Sequence, residues 1–503
     1  MIQFFNTLSG RVEPFIPITP GEVKLYTCGP TVYDYPHIGN YRAYVFEDLL
    51  KRFLEFMSFR VRHVMNITDV DDKTIRNARE KGLSLNDYTQ VYIEAFRQGV
   101  KTLNIKPADV YPRATEHIPG MVEMVKGLME KGYAYEKDGS YYFSIAKFSG
   151  YGRLSKINLE DLKTGVRVEA DEYEKESAHD FALWKKAKEG EPSWETELGA
   201  GRPGWHIECS VMSSKYLGRT FDIHCGGVDN IFPHHENEIA QSEAYWGEKF
   251  VNYWLHCHHL VVDGEKMSKS KGNFFTLEDI LDKGFDPMAV RLLLLSTHYR
   301  KSLNFTFEAL DQANAALKRI RDFFYELAAG KFPEHGDKGI ESWIAKSQKK
   351  FVAGLSDDLN ISTALAAVFD LIKKVNAAML RNAVSAEDAK KVSDFIRSLD
   401  SVLAIQPDTL LLAIQTDALS MRAQENIHVH ANKVAAKTSI DGQEEIIQEI
   451  REKMELREKA RSQKNFQEAD KIRKELLDKG ILIEDTKEGP RWKIVGKGIQ
   501  DRP

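Results

Sequence analysis

The sequence predicts an α/β protein: a parallel sheet built in two separated halves, with an insertion between them, then a helical half and a small terminal α+β unit. Three observations carry this. A strand–helix–strand pattern opens the chain, with a Gly-Pro break after its first strand. A second α/β stretch resumes at Thr220, long after the first has ended. Beyond about Leu303, Ala, Leu, Lys and Glu recur at helical spacing.

Val23 to Cys28 reads as a short strand, broken by Gly29-Pro30. A helix follows from about Asn40, with Tyr41, Val45, Leu49 and Phe53 along its buried side. Val61 to Ile67 is the second strand, ending in the acidic loop Thr68 to Asp72. Ligands of such a unit sit at the carboxyl ends of its strands. Between Tyr111 and Gly204 the pattern changes. Tyr141 to Ile145 looks like a strand of a separate unit, and Lys188 to Pro192 like a connection. The α/β pattern returns with strands over Thr220 to His224 and Tyr253 to Val262. Thr363 to Ile372 is a core helix, and about Ala404 to Gly442 is a weakly patterned connection. A charged helix over Gln443 to Gln463, a shorter one over Asn465 to Leu477 capped by Gly480, and a hairpin of Ile481 to Thr486 with Arg491 to Val495 close the chain. The division is therefore 1–110, first half of the sheet domain; 111–204, insertion; 205–302, second half; 303–442, helical bundle; 443–503, terminal α+β unit.

The bulk properties exclude several classes. At 503 residues the chain needs more than one core. It has no apolar run near the roughly 18 residues of a membrane span. Met1 to Phe15 reads neither as a signal nor as a transit peptide, so the expected address is the cytosol. Four cysteines cannot frame so long a chain with disulfides; they are reduced thiols, ligands or small buried residues. With a net charge of -5, any RNA must be met by a local basic face.

Two stretches suggest phosphate handling. His37-Ile38-Gly39-Asn40 opens a helix directly after a strand and turn, where free N–H groups and the helix dipole favour an anion. Gly39 lets a nucleotide approach the backbone, and His37 and Asn40 can donate to phosphate oxygens. The competing reading makes His37 and Asn40 plain caps. Far downstream, Lys266-Met267-Ser268-Lys269-Ser270 lies between Gly264 and Gly272, a mobile loop with two ammonium groups. Such a loop can stabilise charge building on pyrophosphate; the alternative is a solvated basic loop.

Cys28, Cys209, His234 and Glu238 form a candidate zinc set, with His234 and Glu238 four apart on one helix face. Buried cysteines are the alternative. His235 projects at another angle and reads as a neighbour of the ligands or a surface residue. In His256-Cys257-His258-His259 strand alternation splits the side chains between two faces, and Cys225 reads as a small residue in a tight loop.

Together, Thr27 to Asp34 leading into His37 to Asn40, Gly204 to Ser210, Phe232 to Glu238 and Lys266 to Ser270 resemble cysteinyl-tRNA synthetase. Asp470 to Arg473 and Gly480 to Trp492 are similar to that family's C-terminal domain, so the resemblance spans nearly the whole chain. It implies a split Rossmann-like catalytic domain, a helical bundle and an anticodon-binding domain at 443–503. It implies a class I enzyme that takes ATP with Mg2+, forms an aminoacyl-adenylate and charges tRNA(Cys), acting as a monomer. One Zn2+, held by Cys28, Cys209, His234 and Glu238, would bind the substrate thiol and so separate cysteine from serine. His37, Gly39, Asn40, Lys266 and Lys269 would handle ATP, and Thr68, Trp205 and Asp229 the amino acid. One departure is visible: Asn40 stands where the family commonly has a second His, so an imidazolium is lost there. A cysteine ligase of the mycothiol pathway shares the catalytic half but lacks the helical half and terminal hairpin. A non-catalytic tRNA-binding protein on the same fold would not need both loop lysines and the zinc set. In the C-terminal unit, Trp492 stacks on a base or plugs a small core.

Overall fold

The computed structural model describes residues 1–157, 180–268, 271–334, 336, 339–406, 443–463, 465–478, 481–486 and 489–494. Lys269, Ser270, Gly480 and nearly all of the weakly patterned connection at 404–442 lie outside them, and so does the side chain of Trp492. Two compact units divide the chain. One comprises residues 1–274, 294–305 and 350–365, the other 275–293, 306–349 and 366–503.

The first unit begins with an antiparallel hairpin, β1 (Gln3–Asn6) and β2 (Arg11–Pro14). β3 (Glu22–Thr27), α1 (Ile38–Phe56) and β4 (Arg60–Met65) follow as the expected strand–helix–strand, with β3 and β4 parallel. Tyr41, Val45, Leu49 and Phe53 are buried on α1 as their spacing requires. α2 (Asp72–Glu80) and α3 (Leu85–Thr102) come next, and α2 is started by Asp71, whose side chain accepts from the Thr74 N–H. After α4 (Ile118–Glu130), β5 (Ala134–Lys137), β6 (Ser140–Phe143), β7 (Phe181–Lys186) and β8 (Gly201–Pro203) form an antiparallel sheet of their own. Trp184, Phe143 and Leu183 fill the core beneath it. This is the insertion.

The chain returns through α5 (Trp205–Leu217), β9 (Phe221–Gly227), α6 (Glu236–Trp246) and β10 (Val251–Cys257). The central sheet has the order β10-β9-β3-β4, and every pairing in it is parallel. Strands from the two halves thus meet between β3 and β9. Parallel strands covered on both faces are buried along their length, and β9 and β10 are buried at nearly every position, with Asp222, His224 and His256 among the buried side chains.

Two expectations need correction here. The strand expected over Tyr253 to Val262 is two strands: β10 ends at Cys257, and β11 (Leu260–Val262) joins β12 (Glu265–Lys266) and β13 (Leu303–Phe305) in another sheet. His258 and His259 form the break, and the apolar residues on both sides of it concealed the change of sheet. Cys225 is not in a tight loop but inside β9, fully buried.

In the second unit helices span Phe307–Ala329 and Ala386–Leu403, and the charged Gln443–Ser462 precedes Phe466–Asp478. The terminal hairpin pairs Ile481–Thr486 with Gly489–Ile494, closing on Ile472, Leu476, Ile481 and Ile483. Among the described residues no helix is long and apolar enough to cross a membrane.

Candidate active site and metal centre

A cavity of about 940 Å³ lies at the carboxyl ends of the four parallel strands. Each strand delivers a wall residue at or just past its end: Cys28 after β3, Thr68 after β4, Gly227 from β9 and His258 after β10. The start of α1 adds His37, Gly39 and Asn40. These residues form a reciprocal cap: the Asn40 N–H donates to His37 Nδ1 at 3.1 Å, and the His37 N–H donates to Asn40 Oδ1 at 3.0 Å. The capping reading of the tetrapeptide is therefore realised, on the wall of the cavity. With Nδ1 accepting, the proton of the neutral ring sits on Nε2, and Asn40 keeps its Nδ2 amide as a donor.

Lys266 is exposed at the end of β12 and also lines the cavity. The approach over Gly39 is not empty. The terminal methyl of Met267 stands 2.7 Å from where a Cβ on Gly39 would be.

The metal donors converge at the buried end. One ligand atom from each of Cys28, Cys209, His234 and Glu238 lies within 4.8 Å of all the others. Cys209 comes from α5, one turn in from its start, and Glu238 from the first turn of α6. His234 precedes α6 in an irregular turn over Ile231–His235, yet it keeps the four-residue spacing to Glu238. His234 Nε2 faces Glu238 Oε1 at 3.0 Å and Cys209 Sγ at 3.5 Å. Glu238 Oε1 is buried and faces His234 Nε2, so that carboxylate oxygen and imidazole nitrogen both point into the space between the donors. Two sulfurs, an imidazole nitrogen and a carboxylate oxygen fit zinc.

The electrostatics agree. Burial pushes the Glu238 carboxyl up, but His224 and His234 outweigh it and bring it down to about 2. Burial also opposes the His234 charge, yet Glu238 and Cys209 raise that imidazole to about 10. Cys209 is raised by burial and lowered further by its hydrogen bond from Cys28 and by His234, settling at about 6. Cys28 is pushed well up, first by that same bond and then by burial. The two thiols thus share one proton, and Cys28 keeps it.

The substrate candidates also reach this cavity. Trp205 stacks on His234 with ring centroids 4.2 Å apart. Thr68 is buried, and its hydroxyl donates to Glu208 Oε2 at 3.0 Å. Asp229 is exposed in the short turn Val228–Asn230 on the cavity wall.

Residues 14–315 match the family model described as tRNA synthetases class I (C) catalytic domain, and residues 350–405 match a DALR domain. A cysteine–tRNA ligase of Brachyspira hyodysenteriae is 47% identical over 498 residues, which cover 98% of this chain and 99% of the relative. One from Chlamydia muridarum is 48% identical over 506 residues, at 98% and 99% coverage. The chain belongs to the cysteine–tRNA ligase family. Its backbone also resembles a Mycobacterium tuberculosis methionyl-tRNA synthetase, with a TM-score of 0.55 at 16% identity over 84% of this chain and 99% of that one. At that identity the likeness concerns the fold alone.

Within this family member a layer of histidines surrounds the donors, of which sequence reasoning named only His235 as a neighbour of the ligands. His235 is that neighbour and not a surface residue. It is fully buried, with Nε2 3.2 Å from Cys28 Sγ and Nδ1 2.8 Å from His256 Nε2, while His256 Nδ1 meets Thr7 Oγ1 at 2.7 Å. His224 Nε2 contacts Glu238 Oε2 at 3.0 Å, and His206 Nδ1 holds His234 Nδ1 at 2.9 Å. His224 and His235, with Cys28 and Glu238, make a second set of converging donors that shares two residues with the first. A signal existed: seven of the fifteen histidines fall between residues 206 and 259.

Proposed function

We propose that the chain joins L-cysteine to tRNA(Cys) in two steps, with zinc selecting the amino acid by its thiol. Cysteine and ATP first give cysteinyl-adenylate and pyrophosphate; the acyl group then passes to the terminal adenosine of the tRNA. One observation carries the reading: the start of α1, Lys266 and two of the metal donors, Cys28 and His234, line the same cavity.

ATP enters with Mg2+ so that its triphosphate faces the positive end of α1, where His37 Nε2–H and Asn40 Nδ2 donate to phosphate oxygens. Negative charge grows on the leaving pyrophosphate, and Lys266, together with Lys269, stabilises it. At the deep end Cys28, Cys209, His234 and Glu238 would hold zinc, which when bound would supply a Lewis acid that prefers the sulfur of cysteine to the alcohol of serine. His224 and His206 orient Glu238 and His234 from behind. The Asp229 carboxylate suits the substrate ammonium, Thr68 lies on the wall beside it, and Trp205 closes over the metal side. Support for tRNA over an amino sugar as acceptor comes from relatives that match across 98% of the chain, helical half included. The cytosol is the corresponding address. The monomer is the corresponding unit, since one chain supplies every named residue.

Cysteine-dependent ATP–pyrophosphate exchange, measured beside zinc content, tests the proposal. Cys28→Ser is expected to lose zinc and exchange together. Wild-type exchange in that variant would sink the metal assignment.

A further inference from the structure

The loop that carries Lys266 rests on the start of α1 through side chains that bear no charge. The terminal methyl of Met267 occupies the notch that a side chain at Gly39 would fill. Further along, Phe274 sets its ring edge-on to the His37 imidazole, with centroids 5.3 Å apart at 89°. Asn273 ties the loop between these contacts. Its Oδ1 accepts from the Ser268 N–H at 2.8 Å, and its Nδ2 donates to the Lys266 carbonyl at 3.3 Å. The two bonds bracket Met267. The loop's base is anchored separately, the Gly264 N–H donating to Asn304 Oδ1 at 2.8 Å and the Asp263 N–H to the Phe305 carbonyl at 3.1 Å.

We infer that Asn273 and Met267 are positioning residues, which seat the lysine loop on the notch at Gly39 before any phosphate arrives. The inference rests on the reading of this loop as the phosphate loop. The physical need is repulsion. The Lys266 ammonium is pushed away from the positive end of α1. Without an anion, charge alone would hold the loop open, and ordering it would then weaken the binding of ATP. The apolar seat and the Asn273 tie oppose that repulsion, so Lys266 is in place when charge develops. Residue 39 is then glycine in order to admit Met267 as well as a nucleotide.

The test uses the zinc-loaded full chain. Asn273→Ala should let trypsin cut the loop about tenfold faster without ATP and lower kcat for exchange about tenfold, the loss of roughly one well-made hydrogen bond. The KM for cysteine, zinc content and melting temperature should not move. Asn273→Asp keeps the acceptor for Ser268 but loses the donor to Lys266, so about a threefold effect is expected. An unchanged trypsin rate in Asn273→Ala, or a loss of zinc alongside activity, overturns the proposal. Gly39→Ala and Met267→Ala should each slow exchange, and the double variant should lose less than their product. Relief will be partial, because a methyl at 39 also meets the His37 ring at 2.9 Å. Losses that simply multiply would refute the seat. A wild-type chain without exchange would fault the proposed function instead, and the trypsin comparison would still decide the loop.

Discussion

Zinc binding should release two protons at neutral pH. In the metal-free site His234, raised to about 10, and Cys28, pushed well up, both carry protons. Cys209 at about 6 and Glu238 at about 2 are already ionised. Zinc needs a neutral imidazole and two thiolates, so it displaces one proton from His234 and one from Cys28. Affinity therefore rises with pH, by about a hundredfold per unit, or roughly 2.7 kcal/mol, between about pH 7 and 9. Below about 6 Cys209 also holds its proton, and the dependence steepens to about a thousandfold per unit. Competition against a chromophoric chelator across that range gives the slope, once corrected for the chelator's own protons. Calorimetry in two buffers of different ionisation enthalpy counts the protons directly. Glu238→Gln removes the main support of the imidazolium, so release should fall toward one proton in that variant. A wild-type count of one or none would refute the charge pattern drawn for the site.

Removing residues 443–503 should leave cysteine-dependent exchange intact while tRNA charging collapses; unchanged charging would deny that unit a role in reading tRNA. Asp358→Ala should lower stability by about 2–4 kcal/mol, seen as a fall in the melting temperature of the first unit, because three donors lose a buried acceptor: the Phe5 N–H, the Tyr299 hydroxyl and Arg300 Nε. Trp205→Ala should raise the KM for cysteine about three- to tenfold through loss of the His234 stack, with the KM for ATP unmoved.

Much of this was legible in residue order. Local pattern sufficed for α1, because its buried side repeats at helical spacing, and for β3 and β4, because Gly-Pro and an acidic loop punctuate them. The expected metal donors do converge, but no spacing rule could bring Cys28 to Cys209. The packing of α5 against β3, in a sheet where β3 pairs with β9, does that. The histidine layer was harder to read. Strand alternation correctly separates neighbours such as His256 and Cys257, but it says nothing of a partner like His235 that arrives from another element. The break at His258 was hidden for a similar reason: apolar residues run on both sides of it, and the change of sheet is a tertiary event.

The sheet order also bears on how the protein is made. β3 lies second from one edge, between β4 and β9, so the first half alone leaves one side of β3 without its neighbour. Phe221, the first residue of β9, follows Thr27 by 194 positions (221 minus 27). At roughly 5–20 residues per second, a ribosome needs about 10–40 s to cross that interval. For most of it the nascent chain carries an open apolar strand edge and, until Cys209 is made, a single cysteine of the expected metal set. The full donor set exists only once Glu238 has emerged, and the sheet itself is complete only with β10, which follows it.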